Sequence, residues 1–243
     1  MKYEKQMWLL QRKMKQADLD TTIRFFIAGG ALTSVFSGKP INDLDAFFYE
    51  EADFDTMVKD IENKGFTPAF KTNNALSYNL LPHGETNSIR VQLIRKYFGT
   101  PNEIISKFDY TVCMAAYEPN HGVNWEWGTM TVDDRFLYHL SEKLLVFNHK
   151  TEYPIASLWR AKKYLKREFK LPAIECIKLA LAINNLKIGS YEGLKDQLEG
   201  IDTFFLKDLT DAMLEKADEV YDFEQALEWM DRILSQKMGW SDE

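Results

Sequence analysis

The sequence predicts an α+β protein in which a small mixed-sheet domain is followed by an all-helical one, and three observations carry that reading. Runs rich in β-branched and aromatic residues occur only in the first part of the chain. Beyond Asp133, apolar residues recur at three- and four-residue spacing. Between the first two strand patterns stands the pair Gly29-Gly30, where a strand gives way to a helix. The boundary falls near 130–155, and the expected domains are 1–150 and 151–243.

The chain opens with an amphipathic helix over 3–18, marked by Met7, Leu9, Leu10, Met14 and Leu19. Thr22 to Ala28 reads as a strand, Ala31 to Phe36 as a short helix closed by Gly38, and Asp43 to Tyr49 as a second strand. Phe54 to Lys64 is a helix ended by Gly65. Ala75 to Leu81 and Ile89 to Arg95 are strands around a turn at Pro82-His83-Gly84. Thr100-Pro101 opens a short helix to Lys107, and Tyr110 to Tyr117 fits a strand before the turn Pro119-Asn120-His121-Gly122. Helices are then expected over Phe136–Phe147, Ala156–Phe169, Pro172–Asn184, Gly193–Leu198, Phe204–Ala217 and Phe223–Lys237.

Composition narrows the function classes. With 45% hydrophobic and 28% charged residues the chain is that of a globular protein, and no apolar run approaches the roughly 20 residues a membrane span needs. A cytoplasmic protein without membrane contact is the expectation. Cys113 and Cys176 lie in apolar contexts and are expected as buried thiols, not as a disulfide or zinc ligands. The net charge of −7 is unevenly spread: 155–191 hold 8 Lys/Arg against 2 Asp/Glu, whereas 192–243 hold 5 against 15. A long-duplex surface needs clustered cations over a wide area, so long duplex nucleic acid is disfavoured and a nucleotide or short RNA end is not.

The chemistry concentrates between Ala28 and Phe48. A glycine pair at a strand-to-helix turn lets backbone N–H groups approach a polyanion, which makes Gly29-Gly30 a phosphate seat. Asp43 and Asp45 are two apart in a strand and project to one face, while Leu44 and Ala46 face the other way. Paired carboxylates beside a phosphate seat suit Mg²⁺, which takes hard oxygen ligands from one or two carboxylates and the substrate's phosphates. Two ions are expected, one activating an attacking hydroxyl and one neutralising a triphosphate.

This stretch resembles the nucleotidyltransferase head of the DNA polymerase beta superfamily as found in bacterial poly(A) polymerases and class II CCA-adding enzymes. There a Gly-Gly-X-Val-Arg-Asp helix precedes a Gly-Arg and an Asp-X-Asp strand. Gly29, Gly30, Gly38, Asp43 and Asp45 match. Phe108-Asp-Tyr-Thr-Val-Cys-Met-Ala-Ala-Tyr117 resembles the family's Arg-Arg-Asp-Phe-Thr motif, with Asp109 and Thr111 aligned. Ser157 to Phe169 resembles the neck motif, with Arg160 aligned and Lys163 replacing an arginine. The resemblance spans about 20–170 and implies that Gly29, Gly30, Ser34, Lys39, Asp109, Arg160 and Lys163 border a nucleotide, with Asp43 and Asp45 holding metal.

Departures are equally specific. Thr33-Ser34 replaces the family's Arg-Asp and Lys107-Phe108 its paired arginines. Gln92 occupies the position of the superfamily's third carboxylate and is a possible third metal-site position through a neutral carbonyl oxygen. No Glu-Asp-X-X-Arg follows the neck, so a CCA-adding activity does not follow. Arg160, Lys163 and Arg167 share one helical face that suits a triphosphate or RNA end, while Lys162, Lys166 and Lys170 fit a solvated face. Trp125 and Trp127 alternate around Glu126 and are expected to pack, with base stacking as the other use. His83, His121, His139 and His149 show no ligand spacing and receive no role.

The expectation is therefore metal-dependent transfer of a nucleoside monophosphate from ATP or another NTP to an acceptor hydroxyl. An RNA 3′ end, a small molecule and a protein hydroxyl stay open as acceptors. The rival is a catalytically silent relative that binds nucleotide or a protein partner, supported by Gln92 and Thr33-Ser34.

Overall fold

A computed structural model describes residues 3–81, 87–120, 128–198 and 220–238. The chain divides into two compact units, Met1–Lys150 and Thr151–Glu243. In chain order the first unit holds α1 (Glu4–Gln16), β1 (Phe25–Ala28), α2 (Gly30–Phe36), β2 (Asp43–Phe48), α3 (Glu51–Asn63) and β3 (Phe70–Lys71). There follow β4 (Ala75–Leu80), β5 (Ile89–Phe98), α4 (Pro101–Ile105), a 3₁₀ turn (Thr111–Cys113), β6 (Ala115–Glu118), β7 (Thr129–Val132) and α5 (Phe136–Ser141). The strands form one sheet in the order β3-β4-β5-β2-β1-β6-β7. Among the described strands only β2 and β5 run parallel; the remaining neighbours are antiparallel.

Period-two alternation gives the sheet two unlike faces. On one, Leu44, Ala46, Phe48, Leu76, Tyr78, Leu80, Val91 and Leu93 are buried. Helix α3 packs there, its Phe54 edge-on to Phe48 with ring centroids 5.5 Å apart. Burying a side chain of this size contributes about 1.5–3 kcal/mol, so the apolar row fixes the register and, with it, which residues face the opposite side. That opposite face is divided. Toward β1 and β6 it is apolar, with Phe26, Ala28, Phe47 and Ala116 packed on Ile104, Ile105 and Met114. Toward β4 and β5 it carries Asp43, Asp45, Ser77, Asn79, Arg90 and Gln92, all half-buried or exposed.

Two expected elements differ. Tyr110 to Tyr117 is not one strand: a 3₁₀ turn, with Cys113 N–H on the Tyr110 carbonyl, precedes a strand that starts at Ala115. The helix expected over Phe136–Phe147 stops at Ser141. Lys143 takes φ +53° and the Leu144 N–H closes on the His139 carbonyl at 2.8 Å, after which the chain extends and Phe147 bridges to Tyr110. Burial of Leu145 and Phe147 outweighs helix continuation there. Strands β3 and β7 were not expected from the sequence. The Pro82-His83-Gly84 turn, His121 and Gly122, Trp125 and Trp127, and the Phe204–Ala217 helix lie outside the described residues.

The described part of the second unit is helical: α6 (Pro154–Leu165), α7 (Ala173–Asn184), α8 (Tyr191–Leu198) and a helix over Phe223–Met238. Ala156, Leu194 and Leu198 form its core with Trp159, Tyr221 and Trp229. Pro154 fits the first turn of α6, where its missing N–H costs no hydrogen bond. Cys113 is buried as expected, but Cys176 is exposed on α7. No helix among the described residues is long and apolar enough to cross a membrane.

Candidate active site

Gly29 follows β1 and caps α2 with φ +76°, a conformation that side chains with a Cβ rarely adopt. Its N–H donates to the Ala115 carbonyl at 3.1 Å, and its carbonyl accepts the Leu32 and Thr33 N–H groups that open α2. This leaves Gly30 and Ala31 as first-turn positions without an intrahelical acceptor for their N–H. Gly30 has no need of glycine from packing: a Cβ built there meets nothing within 4 Å. Ser34 lies one helical turn after Gly30 and is buried, and the helix closes in a Schellman turn. There Gly38, with φ +66°, donates to Val35 and Lys39 N–H donates to the Ser34 carbonyl at 2.8 Å. Lys39 is exposed in the connection to β2.

Asp43 and Asp45 stand on the polar side of β2, both half-buried, with the Oδ1 atom of Asp45 shielded from solvent. In the ladder Asp43 is opposite Arg90 and Asp45 opposite Gln92 on β5. On the next strand Asn79 is opposite Arg90 and Ser77 opposite Gln92. Two polar rows therefore cross three strands, Asp43-Arg90-Asn79 and Asp45-Gln92-Ser77. Beside the first row an open recess of about 330 Å³ is lined by Asn42, Asp43, Asn79, Ser88 and Arg90.

The glycine turn and the carboxylate strand are linked through two aromatic rings. Two residues beyond Asp45 on the same face is Phe47, whose ring lies 5.7 Å from that of Phe108. Phe108 in turn is the side chain nearest to where a Gly29 Cβ would be, at 3.5 Å. Asn148 fixes this segment, donating from Nδ2 to the carbonyls of Ser106 and Phe108 at 2.8 Å each and from its N–H to the Asp109 carbonyl at 2.7 Å. Phe108 and Asn148 were not among the residues expected at the site. Only the departure from paired arginines at Lys107-Phe108 hinted at the first, and nothing in the sequence signalled the second.

Several residues aligned with the family's polar motifs serve the fold. The Thr33 hydroxyl donates to the Val112 carbonyl at 2.6 Å and ties α2 to the 3₁₀ turn. Thr111, fully buried, shares a 2.8 Å hydrogen bond with His139 Nδ1, which gives that histidine a structural partner. Asp109 is only 2% exposed, enclosed in the first unit.

The donor set suits a hard divalent ion: two carboxylates on one strand face with a neutral amide in register. Among the described residues no group of three or more His, Cys, Asp or Glu side chains could hold a metal, so protein anions number two where the broader superfamily often has three. Mg²⁺ tolerates that composition because phosphates and water complete its shell.

In the second unit Arg160 and Lys163 are exposed on α6. The helix expected over Ala156–Phe169 is shorter at its C-terminal end: α6 ends at Leu165 and Lys166 caps it. The Arg167 N–H still donates to the Tyr164 carbonyl at 2.9 Å; Glu168 then takes φ +67° and the Phe169 N–H returns to the same carbonyl at 3.1 Å, so the chain turns just after Arg167. The Tyr164–Phe169 ring contact, with centroids 5.2 Å apart, holds the reversal.

Comparison with solved structures gives the fold. A tRNA-processing enzyme in apo form superposes with a TM-score of 0.52 at 18% identity, covering 91% of this chain and 60% of that one. A CCA-adding enzyme in complex with ATP gives 0.51 at 15% identity, over 79% and 45%. The chain therefore has the nucleotidyltransferase fold of these enzymes. In sequence it is 33% identical over 176 residues to "Gabija anti-defense 2" of Bacillus phage SPbetaL7, covering 72% of this chain but 41% of that protein. The chain thus spans less than half the length of this curated relative. A profile described as "Gabija anti-defense 2 family protein" matches residues 1–143, and the chain belongs to that family.

Proposed function

We propose that the chain transfers a nucleoside monophosphate from an NTP to an acceptor hydroxyl, and that this activity serves the counter-defence role named in its phage relative. The observation that carries the reading is the placement of Asp43 and Asp45 on one open sheet face, linked through Phe47 and Phe108 to the Gly29-Gly30 turn. Asp43 and Asp45 would hold Mg²⁺, with Gln92 beside Asp45 able to add a carbonyl oxygen. When bound, the ions supply charge neutralisation for the triphosphate and a lowered pKa for the attacking hydroxyl. The open space at Gly30 admits the triphosphate close to backbone N–H groups, and Ser34 and Lys39 follow on the same helix and its exit.

The acceptor oxygen forms a bond to the α-phosphorus as the bond to the pyrophosphate oxygen breaks, and the hydroxyl proton is released to water. Catalysis here is positioning and electrostatics. Asp109, being enclosed, acts on the nucleotide through the Phe108 segment that it adjoins. On α6 of the second unit, the exposed Arg160 and Lys163 would offer cations to a nucleotide or RNA phosphate. The silent-relative reading rests on Gln92, because an amide supplies less to a cation than a carboxylate.

Incubation with each labelled NTP and Mg²⁺, together with total RNA or cell lysate, tests the reading. Label in the RNA, protein or small-molecule fraction identifies the acceptor. No labelled product from any combination, in preparations that resist the defence system, rejects transfer.

A further inference from the structure

We infer that the recess beside Asp43 is the acceptor seat, and that Arg90 recognises a phosphate adjoining the acceptor's reacting hydroxyl. The inference rests on the transfer reading above and adds the acceptor's chemical class.

Three observations support it. The recess adjoins Asp43 on the β5 and β4 side of β2, while the Phe47–Phe108 contact toward Gly29 lies on the β1 side, so the carboxylates stand between two approaches. An in-line displacement requires attacking and leaving oxygens on opposite sides of the phosphorus. All five lining residues, Asn42, Asp43, Asn79, Ser88 and Arg90, are polar, which gives an aromatic or aliphatic acceptor no apolar surface to cover. Arg90 is exposed in the central strand of the row Asp43-Arg90-Asn79, next to a carboxylate that would hold metal. A guanidinium there offers planar donors matched to a phosphate, and the Asn79, Asn42 and Ser88 side chains supply neutral partners for sugar hydroxyls. A polar recess with one cation therefore selects a phosphorylated hydroxyl compound, of which a free nucleoside monophosphate and a nucleic-acid 3′ end are the two sources.

The test measures binding of 5′-AMP, adenosine and a short single-stranded RNA with a free 3′ hydroxyl, each in the presence of Mg²⁺ and a saturating non-hydrolysable ATP analogue. Parent protein, Arg90→Gln and Asn79→Asp are compared, and binding of the ATP analogue is measured separately in each. The expected result is a loss of about tenfold or more in affinity for AMP, the RNA or both in each variant, since one charge-assisted hydrogen bond is removed or opposed. Adenosine, which has no phosphate, should not respond to Arg90→Gln, and the analogue should bind all three proteins alike. Arg90 dependence of AMP identifies a free nucleotide as sufficient; dependence of the RNA alone identifies the nucleic-acid terminus. If neither probe loses affinity in Arg90→Gln, the acceptor seat is elsewhere and the inference fails. If the probes depend on Arg90 but the ATP analogue binds no variant and no parent, the transfer reading fails while the anion seat stands.

Discussion

Gln92 stands directly opposite Asp45 in the parallel β2–β5 ladder, so its amide and the Asp45 carboxylate project from the same face of the sheet. Where the broader superfamily often has a third anion, this chain has a neutral group already placed beside the carboxylates. Gln92→Glu is expected to convert it into a charged ligand with no change of strand register. Half-maximal activity should then need about three- to tenfold less Mg²⁺, because affinity rises with the number of charged ligands. A fall in activity through a raised NTP KM, with Mg²⁺ dependence unchanged, would show instead that the amide recognises substrate.

Asp43→Asn and Asp45→Asn each remove a charge without adding volume, at half-buried positions. Transfer should fall at least about 100-fold in either variant, in line with the loss of a principal electrostatic group. The fold should persist, and the melting temperature of the parent alone should rise with millimolar NTP and Mg²⁺. Near-parental turnover by the double variant would reject the two-carboxylate mechanism.

The parts of the site that were legible in the sequence are those set by local rules. Asp43 and Asp45 share a face because a strand has a period of two, and Gly29 is needed where φ is +76°. The family resemblance put Gln92 beside the two carboxylates, but the exact ladder partners, Asp43 with Arg90 and Asp45 with Gln92, had no local signal in the sequence. It depends on where the buried row Leu44-Ala46 meets Val91-Leu93 after the chain has passed through α3, β3 and β4, which is a packing outcome. The Asn148 clamp on Phe108 joins residues 40 apart through one amide, and no periodic pattern encodes that. The end of α6 illustrates the same limit: the sequence spacing continues as a helix to Phe169, but the chain turns at Glu168, where Phe169 packs back on Tyr164.

Tyr78 is fully buried on the apolar face and its hydroxyl has no hydrogen-bond partner among the described residues. Burial, and then the charge of Glu62, push its pKa from 10 to about 12. Tyr78→Phe removes an unmatched polar group at little change of shape, so stability at neutral pH should hold or rise by about 1 kcal/mol. A raised folded value means that the protonated tyrosine favours the native state below pH 10 and that this contribution is lost as pH rises toward 12. Urea unfolding at pH 8 and pH 11 should show a smaller alkaline loss in the Phe variant. A clear loss of stability at pH 8 would mean that the hydroxyl has a partner.

At the start of α4, Thr100 and Glu103 form a capping box, with the Thr100 N–H and hydroxyl both donating to Glu103 Oε2 at 2.8 Å. Those two donors hold the Glu103 carboxyl below its ordinary value of 4.5. A lowered folded value stabilises above the unfolded pKa and is lost as pH falls through the folded one, so the effect belongs to the window below pH 4.5. Glu103→Gln should flatten acid unfolding there, whereas Thr100→Ala should cost about 1 kcal/mol at neutral pH by removing the cap. Unchanged acid midpoints in Glu103→Gln would show that the box adds nothing to the fold.

The two glycines of the β1–α2 turn should separate conformational need from ligand need. Gly29→Ala forces a Cβ onto a backbone with φ +76° and is expected to lower stability by about 1–3 kcal/mol, the usual cost of such strain. Gly30 has no such constraint: it is helical, and an added Cβ meets nothing within 4 Å. Gly30→Ala should leave stability unchanged or raise it by up to about 1 kcal/mol through helix propensity. The same methyl would occupy the space through which a triphosphate reaches the backbone, so the NTP KM should rise by about tenfold or more while the apparent Mg²⁺ requirement at saturating NTP stays the same. Measuring both variants by thermal unfolding and by nucleotide titration resolves the two effects. A Gly30→Ala protein that binds NTP as tightly as its parent would remove the phosphate seat from this turn and leave Asp43 and Asp45 to be served by a nucleotide approaching from another side.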